Sequence, residues 1–229
     1  MRLGAANLGH QFPGRPPLFT GLNFSVSPGE LVGLVGPSGS GKSTLLSLLA
    51  GFEAPRYGSV LREGINRVGW VFQNPVGVPR RSALDHVVYP LLTQGTKRTD
   101  AEILARELLK TFGLVDQAET PFSQLSGGEA QRLMLARAVA SPFDALLVDE
   151  PTAQLDPLSA GTVIDVVRGL SSSGRITLIA SHDPSNMHST TCTRVTFKVS
   201  TTLCQSSRQL RLSSLTCSPA CLCAAWKDF

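Results

Sequence analysis

Nine consecutive residues, Gly36, Pro37, Ser38, Gly39, Ser40, Gly41, Lys42, Ser43 and Thr44, have the types and spacing to hold a polyphosphate. They match G-x-x-x-x-G-K-[ST], follow the apolar run Leu31-Val32-Gly33-Leu34-Val35, and precede the helix-like Leu45-Leu46-Ser47-Leu48-Leu49-Ala50, which Gly51 can close. The order is strand, glycine loop, helix. Glycines let backbone N–H groups turn onto phosphate oxygens, and the helix start adds unpaired donors and the positive end of its dipole. Lys42 is placed to reach the outer phosphates and Ser43 to ligate Mg²⁺. A glycine-rich turn before a core helix is the plainer alternative, but the full pattern in this context is rare by chance.

Three further apolar runs end in polar residues able to do chemistry. Val68-Gly69-Trp70-Val71-Phe72 leads to Gln73, Ala145-Leu146-Leu147-Val148 to Asp149-Glu150, and Ile176-Thr177-Leu178-Ile179-Ala180 to Ser181-His182. Near-continuous apolar strands suit a parallel sheet buried on both faces, whose ligands collect beyond the strands' carboxyl ends. With the glycine loop this makes four such ends, and together they predict one shared site. Carboxylates after a strand can also simply cap the next helix, so Asp149 and Glu150 have a structural reading as well.

The elements that must position these residues are legible in outline. Residues 1–30 read as short strands and turns, with partial alternation at Leu18, Leu22, Phe24 and Val26, and predict a small antiparallel sheet beside the glycine loop. Phe12 is a candidate for stacking on an adenine ring, with a plain packing role as the alternative. Between Gln73 and Leu125 the texture is helical. Ser82 to Asp85 and Thr99 to Glu102 both fit a capping box, Pro90 is expected to kink or end the first helix, and Ala101, Leu104, Ala105, Leu108 and Phe112 form a stripe ended by Gly113. These features predict a helical subdomain over about 76–125, inserted into the sheet domain. Ser126-Gly127-Gly128-Glu129 then opens a helix over Ala130 to Ala140. It is either a further capping box or, through its exposed glycine N–H groups, a second anion site.

Composition removes several classes. At 229 residues the chain can bury a large core, and no apolar run approaches the roughly 18–20 residues of a membrane span. The N-terminus lacks the pattern of a signal peptide, so a cytosolic location is expected. Residues 1–182 carry 16 Lys+Arg against 15 Asp+Glu, so the net charge of +4 is concentrated in the tail and no nucleic-acid partner is expected. Cys192, Cys204, Cys217, Cys221 and Cys223 also lie there, at spacings that match no paired zinc pattern.

Taken together, GPSGSGKST, Gln73 in VFQNP, LSGGEAQR at Leu125 to Arg132, LLVDEP at Leu146 to Pro151, Leu155-Asp156 and Ser181-His182-Asp183 resemble the ATP-binding cassette (ABC) family in order and spacing, over about residues 5–183. The resemblance implies an α/β fold: a P-loop NTPase core with a mainly parallel sheet, an N-terminal antiparallel β subdomain and an inserted helical subdomain. It implies ATP and Mg²⁺ as ligands and two cassettes paired head to tail, most simply as a homodimer. Lys42 and the P-loop amides would hold the phosphates, with Ser43, Gln73 and Asp149 at the metal. Glu150 would polarise the attacking water, and Gln73 would relay the state of the site to a partner. His182 would contact the γ-phosphate; Ser126, Gly127 and Gly128 would reach the γ-phosphate bound by the other subunit. Asp156 would lie in a loop at the dimer interface, and Phe12 stands where the family usually has Tyr.

The family's commonest task implies a separate transmembrane permease docked near Gln73, which would hold the chain at the inner face of the cell membrane. The stretch from Ala83 to Leu92 looks most like the branch serving lipoprotein release and macrolide efflux, although that branch usually has Asn where His86 stands. Ala153-Gln154 is a mild departure. A soluble cassette of DNA repair or translation, and a cassette that binds ATP without productive turnover, are the competing functions.

After Asp183 the likeness stops. Residues 184–229 hold 15 Ser+Thr, all five cysteines and one acid, Asp228. Arg194 to Val199 reads as a strand. The rest is expected to be a frameshifted or altered terminus, poorly ordered beyond about residue 200, with a tail for a partner or membrane surface as the alternative.

Overall fold

The fold is known from a computed structural model, which describes residues 1–153, 155, 157–172, 174–182, 193–197 and 210–214. Gln154, Asp156, Asp183 and all five cysteines lie outside the described residues.

Two sheets divide the work. The first is antiparallel, built from β1 (Arg2–His10), β2 (Phe19–Val26) and β4 (Tyr57–Glu63) in the order β2-β1-β4. The alternation foreseen in β2 places Leu22, Phe24 and Val26 inward, with Leu18 half-buried just before the strand. At Gly4 the chains pass so closely that an added Cβ would fall on the Phe24 carbonyl. β4 has no apolar alternation and was not foreseen; it is held by its ladder to β1, pairing Ala5 with Val60 and Gly4 with Leu61.

The second sheet contains β3 (Leu31–Val35), β5 (Val68–Val71), β6 (Ala145–Asp149), β7 (Ile176–Ser181), β8 (Thr193–Phe197) and β9 (Leu210–Ser214) in the order β5-β6-β7-β3-β8-β9. Its first four strands are the four predicted runs and all pair in parallel. β8 continues the parallel set beside β3, and β9 turns back antiparallel to β8. The strand expected near Arg194 is therefore present, and a second follows beyond residue 200.

Both faces of β3, β6 and β7 are covered, which is why these central strands are nearly all apolar. On one face Leu34, Leu147 and Leu178 pack with the antiparallel sheet and α1 (Lys42–Ala50). On the other, Val35, Leu146, Val148 and Ile179 pack with the helices. Leu45, Leu46, Leu48 and Leu49 of α1 are wholly buried, each contributing about 1.5–3 kcal/mol. Gly51 ends α1 in the left-handed conformation (φ 82°), its N–H on the carbonyls of Ser47 and Leu48.

The helical segment holds α2 (Ala83–Leu92), α3 (Arg98–Thr111), a 3-10 turn (Phe122–Gln124) and α4 (Gly127–Val139); α5 (Pro157–Ser172) follows β6. Ser82 caps α2 as foreseen, accepting from the Asp85 N–H at 3.1 Å. Thr99 caps nothing: α3 starts one residue earlier with Lys97 at the cap position, and the Thr99 hydroxyl lies against Asp100. Pro90 does not end α2, which runs on to Leu92; its ring removes a single N–H from the helix ladder, the one that would reach the His86 carbonyl. The carbonyl of Pro90 is satisfied by Thr93 Oγ1 and Gln94 Nε2. α4 begins at Gly127 rather than Ala130, so both signature glycines lie within its first turn. No described helix is long and apolar enough to cross a membrane.

Candidate functional site

The register of the parallel sheet assembles the site. Val71 faces Val148, Asp149 faces Ala180, and Val35 faces Ser181, so the carboxyl ends carrying Gln73, Asp149-Glu150, His182 and Gly36 share one edge. The loop from Gly36 to Gly41 turns on two glycines with positive φ, Gly39 at 73° and Gly41 at 101°. Gly41 must be glycine for a second reason, since a Cβ there would stand 2.8 Å from Leu18 Cγ. No side chain caps α1, so its first N–H groups remain directed at the loop.

Lys42 is buried, and its Nζ donates to the carbonyls of Gly36 at 2.8 Å and Pro37 at 3.3 Å. The same ammonium lies 3.4 Å from Glu150 Oε1. The other Glu150 oxygen accepts from His182 twice, from Nδ1 at 2.7 Å and from the backbone N–H at 3.2 Å. A carboxylate can only accept here, so Nδ1 of His182 carries the proton. Glu150 itself has φ +48°, a left-handed conformation that costs a non-glycine residue about 1 kcal/mol or more. Its N–H, bonded to Ala180 O at 2.9 Å, fixes that turn. The carboxylate is thus aimed between lysine and histidine instead of capping the next helix.

Asp149 is also buried, and one of its oxygens, Oδ1, has no hydrogen-bond partner among the described residues. Burial raises its pKa above the ordinary carboxylate range; a hydrogen bond from the Ser43 side chain opposes the shift, the Glu150 charge adds to it and Lys42 opposes it. An unpartnered, desolvated carboxylate oxygen beside a hydroxyl is a set of hard oxygen donors, and these residues fit Mg²⁺, which takes few protein ligands and completes its shell with water and phosphate. Ser38 and Ser43 are exposed, Thr44 is half-buried, and Ser40 is buried, its hydroxyl without a partner among the described residues.

Beside the loop lies a cavity of about 440 Å³ lined by Phe12, Arg15, Pro16, Pro17, Leu18 and Gly39. Phe12 is 38% exposed and meets His10 edge to face, with ring centroids 4.8 Å apart. Arg15, Pro16 and Pro17, which follow Phe12 by three to five residues, carry no sequence signal of their own.

Two predicted groups stand apart from this cluster. Gln73 is exposed and has no hydrogen bond among the described residues, although Gln131 of α4 reaches Phe72 O beside it at 3.4 Å. The exposed Ser126 turns its hydrogen bonds inward: Glu129 Oε2 accepts from its N–H at 2.8 Å and its hydroxyl at 2.7 Å, and the Ser126 oxygen accepts from Glu129 N–H at 3.4 Å. The capping box is therefore real, and these bonds hold the Glu129 pKa below its usual range. Capping and anion binding do not exclude each other here, because Gly127 and Gly128 still offer N–H groups at the helix start.

A buried lysine in the glycine loop after β3, a histidine after the neighbouring β7 and paired carboxylates at the end of β6 define a P-loop nucleotide hydrolase. A family profile described as ABC transporter matches residues 19–153. The chain belongs to the ABC transporter family, as an ATP-binding and ATP-hydrolysing member. It is 38% identical over 200 residues to the lipoprotein-releasing system ATP-binding protein LolD of Hyphomonas neptunium, covering 79% of this chain and 86% of that one. The match to LolD 1 of Rhodospirillum rubrum is 40% over 186 residues, covering 73% and 81%. The L-cystine transport system ATP-binding protein TcyN of Escherichia coli is 36% identical over 199 residues, covering 78% and 79%. Among solved structures, a dimeric post-hydrolysis ATP-binding cassette bound to ADP and Pi superposes with TM-score 0.75 at 26% identity, covering 85% of this chain and 93% of that one.

Proposed function

We propose that the chain powers a separate membrane permease, of the lipoprotein-release type that several of its relatives are named for, by pairing with a second copy around ATP. The observation that carries this reading is the Glu150 carboxylate held between Lys42 and His182 beside an intact glycine loop. Lys42 is held by the Gly36 and Pro37 carbonyls and by Glu150. On binding, Lys42 and the loop amides turn to the phosphates, and Phe12 stacks on adenine at the neighbouring cavity. Glu150, released from Lys42 but still bonded to His182, is left to orient the attacking water and accept its proton. His182 holds that carboxylate and faces the γ-phosphate.

Ser43, Asp149 and Gln73 would hold Mg²⁺, which when bound neutralises charge on the phosphates. Ser126, Gly127 and Gly128 lie outside the Lys42 cluster and serve the nucleotide of the second copy, so hydrolysis needs the pair. The permease docks on the helical side near Gln73 and holds the assembly at the inner face of the cell membrane. The ATPase domain spans about residues 1–183. The Ser/Thr/Cys-rich segment 184–229 follows as a tail whose described strands, β8 and β9, attach to the sheet beyond β3.

Light scattering on purified Glu150→Gln tests the pairing. Slowed hydrolysis lets an ATP-bound sandwich accumulate, so Mg-ATP should double the mass in solution. A mass that remains that of one chain, while bound ATP is detected, would count against ATP-driven pairing.

A further inference from the structure

His86 lies in α2, is 6% exposed, and is placed in no role above. Its ring is bonded at both nitrogens. Nδ1 is 2.7 Å from the Ser82 carbonyl, and Nε2 is 2.9 Å from the Val78 N–H. A carbonyl can only accept and an N–H can only donate, so this pair fixes one neutral tautomer, with the proton on Nδ1. The Val78 bond reaches back into the exposed loop between Gln73 and α2.

That loop is strapped at further points to the segment leading into α4. Phe122 N–H donates to Arg81 O at 2.9 Å and Ser123 N–H to Pro79 O at 3.1 Å. Phe122 lies so close over Gly77 that a Cβ there would come within 2.5 Å of its ring, and its centroid is 5.4 Å from that of His86. Leu125 N–H returns to Phe122 O at 3.2 Å, one residue before the Ser126 cap. His86 is thus the only titratable side chain among the bonds described in this strap.

We infer that His86 is a positioning residue of the ATP site: as its Nδ1–H tautomer it clamps the loop carrying Gln73 onto α2, in the place where Arg81 and Pro79 of that loop bind the segment carrying Ser126, and protonation opens the clamp. An imidazolium donates from both nitrogens, so Nε2 would meet the Val78 N–H donor to donor and the bond is lost. The charged groups facing it are Arg137 from α4, Arg81 from the loop and Asp85 from α2. Burial lowers the His86 pKa most; the Ser82 bond and Asp85 oppose this, and Arg137 and Arg81 add to it. The folded pKa therefore lies below the unfolded value of 6.5, and the clamp's contribution is full above that value and lost as pH falls through the folded pKa.

The inference rests on the reading that Gln73 and Ser126 serve the ATP site, and its test separates the two. His86→Phe keeps a ring against Phe122 and removes the acceptor. His86→Gln offers an amide oxygen at about the reach of Nε2 and does not titrate in this range. Trypsin at pH 7.5, with the cut at Arg80 or Arg81 followed by mass spectrometry, reads the clamp without ATP. His86→Phe should be cut about five- to tenfold faster than the native chain, the equivalent of one net hydrogen bond, and His86→Gln at about the native rate. ATP turnover is then compared between pH 7.5 and a pH about one unit below the His86 pKa, read by NMR titration of the native chain. The ratio of His86→Gln to native activity should rise on acidification, while His86→Phe has lowered kcat at both values with ATP affinity retained.

Equal tryptic rates for all three chains overturn the clamp. Faster cutting of His86→Phe with native kcat overturns the positioning role, as does a constant ratio of His86→Gln to native activity across pH. A native chain that binds ATP but never hydrolyses it overturns the proposed function and leaves the tryptic result to decide the clamp.

Discussion

Replacing Glu150 by Gln should tighten ADP binding while it slows ATP turnover. Glu150 and incoming phosphates compete for the same ammonium, because Lys42 Nζ lies 3.4 Å from Glu150 Oε1 and both side chains are less than a tenth exposed. At that distance and an effective dielectric of ~20 the Coulomb attraction is about 5 kcal/mol. Most of this offsets the desolvation of the two charges, leaving about 1–2 kcal/mol as the net attraction that a nucleotide must displace. Gln keeps an acceptor for the His182 N–H but carries no charge, so that displacement cost disappears. ADP affinity should rise about five- to thirtyfold. Titration with fluorescent ADP is the suitable assay, since neither turnover nor ATP-driven pairing contributes. ATP turnover should fall about a hundredfold or more through loss of the base. Unchanged or weaker ADP binding would refute the competition, and undiminished turnover would refute the base.

Gly41→Ala places a side chain at φ 101° and 2.8 Å from Leu18, so about 1–3 kcal/mol should be lost and the melting temperature should fall by about 3–10 °C together with ATP affinity; an unchanged melt would show that the loop relaxes freely. Ser126→Ala removes a helix cap of a kind worth about 1 kcal/mol, so the melt should drop by about 2–4 °C. In the same variant ATP affinity of the single chain should be native and hydrolysis should fall much further; a parallel loss of affinity would place Ser126 in its own chain's site.

How much was legible follows from how local each signal is. The four apolar runs became the four adjacent parallel strands because a strand buried on both faces has little freedom to be anything but apolar, and the glycine loop was readable because phosphate binding constrains backbone as well as side chain. β4 was invisible because an outer strand held by its ladder needs no apolar alternation. Thr99 misled because capping depends on where the backbone leaves the helix, which Lys97 rather than Thr99 decides. The capping and anion readings at Ser126 were posed as alternatives, and the geometry lets one turn serve both. The Glu150 contact with Lys42 joins residues far apart in the chain, and its direction depends on a positive φ at a non-glycine residue, which no spacing rule announces. Likewise His86 was noticeable only as a departure from a family habit, while its two bonds required the folded loop.

The central sheet has a further consequence. Its strands send alternate residues to two hydrophobic cores that meet only across the sheet: Ala145 and Leu147 to the side of the nucleotide loop, Leu146 and Val148 to the side of the helices. A mutation in the core of α3, such as one at Leu108, therefore falls in a different hydrophobic core from the leucines of α1. A lineage could rewrite its helical half to fit a new membrane partner, one side chain at a time, while the packing beneath the nucleotide loop stays under separate selection.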